Sequence, residues 1–151
     1  MQWPLDNLAA SNALAARIAA GLATGDCVAL EGDLGAGKTT LARAILRALG
    51  VTEDVPSPTF TLVQSYETTR FPVRHFDLYR VEDEEEIEEL GLDDALEHDV
   101  TLVEWPERAT DRLPAARLRV AITTEGGWKA AISGPVKWAG FLNPGQGGHG
   151  G

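Results

Sequence analysis

The residues with the clearest chemical capacity form one short run, Gly32-Asp33-Leu34-Gly35-Ala36-Gly37-Lys38-Thr39-Thr40. Its frame is G-x-x-x-x-G-K-[ST], two glycines, a lysine and a hydroxyl in fixed register, which average composition produces by chance in about one chain of this length in a few hundred. The spacing answers a physical need. A chain of phosphates is wrapped by backbone N–H groups, so side chains have to be absent where the loop curls, at Gly32, Gly35 and Gly37. Lys38 supplies a full positive charge for the β and γ phosphates, Thr39 a hydroxyl oxygen for Mg²⁺, and Thr40 a hydrogen bond at the α-phosphate end. A glycine-rich turn before an ordinary helix is the bland alternative.

Such a loop needs an acid at the end of a neighbouring strand to hold the metal, and two apolar runs end in one: Phe76-Asp77 and Leu102-Val103-Glu104. Each could instead be a strand-end carboxylate facing solvent. His75 lies two residues before Asp77, on the same face of a strand, so a His75–Asp77 pair is possible, as is a histidine that is simply packed. The three histidines and one cysteine form neither a zinc-type cluster nor a Cys-His nucleophile pair, and no Ser-His-Asp arrangement is discernible. Neither Asn-Lys-x-Asp nor Asp-x-x-Gly occurs, which favours ATP over GTP.

The elements that must position these groups are readable from periodicity. Asp6, a plausible N-cap, opens an amphipathic helix to Leu22. Cys27–Glu31 reads as a buried strand and Lys38–Leu49 as a helix stopped by Gly50, which brackets the glycine-rich run in a strand-loop-helix unit. Val55-Pro56 and Ser57-Pro58 enforce an extended loop. Strands are expected over Thr59–Glu67 and Val73–Leu78 as a hairpin, and over Val100–Glu104. Seven of the eight residues from Glu82 to Glu89 are acidic, a short solvated helix. Leu118–Thr124 and Trp128–Ile132 flank Glu125-Gly126-Gly127 in a terminal hairpin. The expected fold is α/β, a P-loop NTPase-type mixed β-sheet flanked by helices, in one domain over 1–142, with a disordered Gly-rich tail over 143–151.

Composition narrows the partners. The chain has 151 residues, 44% hydrophobic and 24% charged, with 13 Lys and Arg against 23 Asp and Glu, a formal charge of -10. Its average surface repels phosphate backbones and acidic headgroups, so any nucleic acid is expected to be held by partners. No apolar run approaches the roughly 20 residues of a membrane span and no signal peptide is visible, so the chain is expected to be cytoplasmic, with no membrane partner. Cys27 reads as buried packing.

Four blocks together resemble a known family: the run Gly32 to Thr40, then Ser57-Pro58-Thr59-Phe60-Thr61-Leu62-Val63, then His75-Phe76-Asp77-Leu78-Tyr79-Arg80, then Val103-Glu104-Trp105-Pro106. They look like the TsaE (YjeE) ATPases, in the family's order, over roughly residues 5 to 135. The resemblance implies an ATPase, slow alone, that supports the TsaB-TsaD heterodimer in threonylcarbamoyladenosine modification of tRNA next to the anticodon, and that meets tRNA only through that complex. By position it implies phosphate binding by Gly35 to Thr40, Mg²⁺ held by Thr39 and Glu104, and a water placed or activated by Asp77. Thr59 would sit in a switch-like loop near the γ-phosphate, Trp105 close to the nucleotide, and the hairpin around Trp128 and Lys129 over the adenine side. Two departures are the Gly-rich tail and Glu31-Gly32 in place of a more usual apolar or aromatic lead-in. A small-molecule or nucleoside kinase with a lid built from Arg108, Arg112, Arg117 and Arg119, and a nucleotide-dependent binding module, are the competing readings.

Overall fold

A computed structural model describes residues 2–33, 35–53 and 62–142, so Leu34, the loop carrying Thr59, and the tail over 143–151 lie outside the described residues. The chain runs β1 (Gln2–Pro4), α1 (Leu8–Gly21), β2 (Cys27–Glu31), α2 (Lys38–Ala48), β3 (Val63–Glu67), β4 (Pro72–Asp77), α3 (Glu84–Glu89), α4 (Leu92–His98), β5 (Val100–Glu104), a 3-10 turn (Pro106–Ala109), β6 (Leu118–Thr123), β7 (Lys129–Ser133) and α5 (Lys137–Leu142). The seven strands form one mixed sheet in the order β1-β7-β6-β2-β5-β4-β3. Its middle is parallel, with β2 between β5 and β6 and β4 beyond β5, and both margins are antiparallel hairpins. The α/β class and the mixed sheet with flanking helices stand as expected.

β2 is apolar from Cys27 to Leu30 because helices cover both of its faces: Val28 and Leu30 join the core beneath α1 and α2, while Cys27 joins the core beneath α3 and α4. Burial pushes the Cys27 thiol up to about 11. The two-residue period then decides the site. In the β4–β5 register Val73, His75 and Asp77 stand opposite Val100, Leu102 and Glu104, and β2 sets Val28 and Leu30 beside Leu102 and Glu104. Since Val28, Leu30, Val73, Val100 and Leu102 all belong to the core under α1 and α2, His75, Asp77 and Glu104 share that face.

Several boundaries differ from expectation for local reasons. Helix α1 is capped by Asn7, whose side chain accepts from the Ala10 N–H at 2.9 Å, and not by Asp6. The acidic helix begins at Glu84 because Asp83 caps it, accepting from the Glu86 N–H at 3.0 Å. Three elements were not anticipated: β1, only three residues long and ordered by pairing with β7; α4, separated from α3 by Gly91 at φ 78; and α5. Helix α5 packs on α1 through Trp138, and Gly21 makes room for it, since a Cβ there would stand 2.5 Å from the Trp138 ring and 2.8 Å from that of Phe141.

Candidate functional site

The end of β2, the loop after it and the first turn of α2 form a cup that opens at the carboxyl ends of the parallel strands. In such sheets this is where ligands bind. Gly32, Gly35 and Gly37 all have positive φ, 146, 81 and 100. Their reasons differ. A Cβ on Gly35 would meet nothing within 4 Å, so this position borders open space, whereas a Cβ on Gly32 would stand 2.7 Å from the backbone oxygen of Ile122. Gly32 is thus required by close packing of the loop on β6, a tertiary reason the motif alone does not disclose. At Gly37 a Cβ would be 3.0 Å from the Trp128 ring. Gly37 also starts α2 without any side-chain cap, leaving the helix's N-terminal N–H groups for another acceptor.

Lys38 is 5% exposed. Its ammonium donates to the Gly32 carbonyl and, at 3.4 Å, to that of Asp33, and it lies 3.6 Å from the centroid of the Trp105 ring. Burial lowers its pKa, and the carboxylates of Glu104, Glu107, Asp77 and Asp33 act against that shift. Trp105 has left-handed backbone, φ 58 and ψ 52, at the start of the 3-10 turn, and its ring packs against Tyr79 with centroids 4.8 Å apart. Non-glycine residues pay of order 1–3 kcal/mol for such a conformation. Here it places an aromatic ring against the lysine.

Thr39 donates from Oγ1 to Glu104, 2.8 Å to Oε1 and 3.0 Å to Oε2. Glu104 is 2% exposed, so the alternative of a solvent-facing strand end does not hold. Asp77, opposite Glu104 on β4, accepts from the Tyr79 N–H at 3.0 Å. Burial, with Glu104 nearby, holds its carboxyl above the ordinary range. His75 does not pair with Asp77: its Nε2 is 2.6 Å from Glu104 Oε2. A diagonal neighbour across the strand pair outcompetes the neighbour two residues along the same strand, a contact that only the β4–β5 register reveals.

Lys38, Thr39, Thr40, Asp77, Glu104 and Trp105 line a cleft of about 380 Å³ together with Tyr79, Arg80 and the loop residues Gly35 to Gly37. A second cleft of about 260 Å³ adjoins it across the loop, walled by Leu5, Leu8, Leu41 and the 43%-exposed Trp128. Lys129 lies in β7 opposite Pro4 and Thr123 and lines neither cleft. Tyr79, Arg80, Leu5 and Leu8 were not named among the candidate site residues. Tyr79 and Arg80 could have been marked, because they directly follow Asp77 past the strand end. Of the arginines proposed for a kinase lid, Arg112 pairs with Glu88 and Asp93, Arg119 with Glu31, and Arg117 donates to the Pro114 carbonyl; none of these, nor Arg108, lines the cleft beside Lys38.

The donor set fits a magnesium nucleotide. A hydroxyl and a carboxylate already in contact are hard oxygen ligands beside a glycine-rich loop that borders open space at Gly35. Among the described residues no three His, Cys, Asp or Glu side chains cluster to hold a metal by themselves, and Mg²⁺ bound with phosphates does not require them.

Comparison with known proteins agrees with the geometry. Residues 5–131 match the model of the family described as "Threonylcarbamoyl adenosine biosynthesis protein TsaE". The chain is 42% identical over 127 residues to the tRNA threonylcarbamoyladenosine biosynthesis protein TsaE of Bacillus subtilis, covering 83% of this chain and 79% of that protein. It is 47% identical over 96 residues to the protein of the same description from Haemophilus influenzae, covering 63% of this chain and 61% of that protein. The crystal structure of Bacillus subtilis YdiB superposes with a TM-score of 0.77 at 29% identity, over 100% of this chain and 96% of that one. With the phosphate-type loop, the paired Thr39 and Glu104 and the neighbouring Asp77 all inside the matched region, the chain belongs to the TsaE family.

Proposed function

We propose that this protein binds ATP with Mg²⁺ in the cleft formed by Gly35 to Thr40 and hydrolyses it slowly, in support of a TsaB-TsaD heterodimer that makes threonylcarbamoyladenosine next to the anticodon of tRNA. The observation that carries the reading is the contact of the Thr39 hydroxyl with both oxygens of a buried Glu104 at the foot of an uncapped helix, with Asp77 opposite. Family membership supports the pathway, and the charge of -10 supports contact with tRNA through partners.

Bound magnesium would supply positive charge to the nucleotide phosphates, and Thr39 and Glu104 are the residues that would hold it. The loop N–H groups and the start of α2 bind the phosphate oxygens. Lys38 leaves the Gly32 and Asp33 carbonyls for the phosphates. Asp77, whose carboxyl burial holds above the ordinary range, would orient the attacking water or accept its proton, and its place at the end of β4 opposite Glu104 supports that role. Trp105 borders the phosphate side, and the cleft under Trp128, with Leu5, Leu8 and Leu41 beside the polar Asn7, Ser11 and Thr40, suits a flat base such as adenine. Thr59 remains a proposed contact near the γ-phosphate, and Lys129 a proposed contact at the base.

Calorimetry with ATP and Mg²⁺, followed by phosphate release with and without TsaB-TsaD, tests the proposal. The expected result is binding, slow release alone and a changed rate with partners. Binding with neither release nor partner association would overturn the hydrolytic role.

A further inference from the structure

His75 is a buried titratable group for which the roles above leave no use. Its ring is 0% exposed in the middle of β4, and its surroundings on that face of the sheet include Val73 and Leu102. Nε2 meets Glu104 Oε2 at 2.6 Å, while Nδ1 is buried with no hydrogen-bond partner among the described residues. An unpartnered buried nitrogen costs about 1–3 kcal/mol, so an imidazole in this layer carries a penalty that an apolar side chain would avoid. A carboxylate oxygen accepts, so a hydrogen bond at this contact has Nε2 as its donor. The chain His75, Glu104, Thr39 is then continuous: the imidazole holds one carboxylate oxygen, and the same carboxylate receives the Thr39 hydroxyl.

We infer that His75 is a positioning residue for the magnesium of the bound nucleotide, acting through Glu104: it fixes the rotation of the carboxylate so that Glu104 and Thr39 face the metal together. The inference rests on the magnesium nucleotide reading above. Without the Nε2 donor, Glu104 keeps its place on β5, but its carboxylate turns about the side-chain bonds and no longer presents an oxygen at one point. Loss of an outer partner of this kind costs about 10- to 100-fold in metal affinity.

The test separates metal binding from nucleotide binding. ADP affinity is measured by calorimetry in EDTA and across a Mg²⁺ titration for wild type, His75→Leu, which removes the donor at similar bulk, and His75→Gln, whose amide nitrogen reaches to the Nε2 position. For His75→Leu the expected result is a half-saturating Mg²⁺ concentration raised about 10- to 100-fold with Mg-free ADP affinity within about twofold, and for His75→Gln a return to within about threefold of wild type. A half-saturation for His75→Leu within about twofold of wild type, or a His75→Gln protein as impaired as His75→Leu, overturns the inference. Should His75→Leu fail to fold, ¹⁵N spectra of the wild-type histidines decide: the inference requires His75 as the Nε2–H tautomer with a signal that moves when Mg²⁺ is added to the ADP complex. The Nδ1–H tautomer or an unmoved signal refutes it. A wild type that binds no nucleotide in a Mg-dependent way sinks the ATP reading, whereas a Mg-dependent wild type with an unaffected His75→Leu sinks only the role of His75.

Discussion

Gly32 and Gly35 belong to one loop motif, yet the structure gives them different tasks, and alanine at each should separate stability from binding. At Gly32 a methyl group meets two costs. The backbone φ of 146 is foreign to L side chains, about 1–3 kcal/mol, and the Cβ lies 2.7 Å from the Ile122 oxygen, which belongs to a strand paired on both sides and yields little. Overpacking of this kind adds about 1–3 kcal/mol, so the sum is about 2–6 kcal/mol. For a chain of this size each kcal/mol lowers the melting temperature by about 2–4 °C, so Gly32→Ala should melt roughly 4–24 °C below wild type. At Gly35 the φ of 81 carries strain but a Cβ meets nothing within 4 Å. The loss there is about 1–3 kcal/mol from strain alone, at the low end if the open loop relaxes, while the methyl occupies space bordering the cleft beside Lys38. Thermal melts followed by circular dichroism without nucleotide, paired with calorimetry of ATP and Mg²⁺, read the two effects. Gly35→Ala should lose affinity with the smaller fall in melting temperature. Equal melting losses at the two positions, or wild-type affinity in Gly35→Ala, would refute the reasoning.

Three further outcomes are expected. Lys38→Met keeps the stem of the side chain and removes its charge, so ATP affinity should fall about 10- to 150-fold, the worth of a charge-assisted bond, with calorimetry as the check and unchanged affinity as the contrary result. Asp77→Asn retains the oxygen that accepts from the Tyr79 N–H and removes a carboxylate that burial and Glu104 disfavour. Because the folded pKa is raised, the wild-type carboxyl contributes most to stability below its unfolded value of about 3.9 and loses that contribution as pH rises through the folded value. The nucleotide-free variant should therefore melt above wild type at pH 7 and lose this advantage near pH 3.5, while ATP hydrolysis falls more than ATP binding. A lower melting temperature at pH 7 would count against a disfavoured charge. Gly21→Ala should push α5 off α1, seen as faster proteolysis within residues 137–142, and unchanged cleavage would show that Trp138 and Phe141 accommodate the methyl.

The parts legible in the sequence share a local cause. The strand-loop-helix unit around Lys38, the β3–β4 and β6–β7 hairpins and the acidic helix are each written in neighbouring residues: apolar runs, glycine and proline punctuation, an Asp83 cap. Helix α4 and strand β1 were missed for the opposite reason. Four of the seven residues of α4 are Asp, Glu or His, which leaves only Leu92, Ala95 and Leu96 to mark an apolar face in so short a helix, while three residues at the N-terminus signal nothing until β7 lies beside them.

The same division runs through the site. Sequence alone marked the glycine-rich loop before α2, because glycines, a lysine and a hydroxyl at fixed spacing act within one turn of chain, and it named Asp77 and Glu104 because an acid closing an apolar run stands at a sheet's rim. Tertiary structure alone decided that Glu104 holds both Thr39 and His75, that Gly32 is required by the Ile122 carbonyl, and that Trp128 rather than Lys129 covers Gly37. Those contacts join residues from 29 to 91 positions apart. Their partners are set by strand register and by which face of the sheet each helix covers, and periodicity within a single strand gives the face without giving the neighbour.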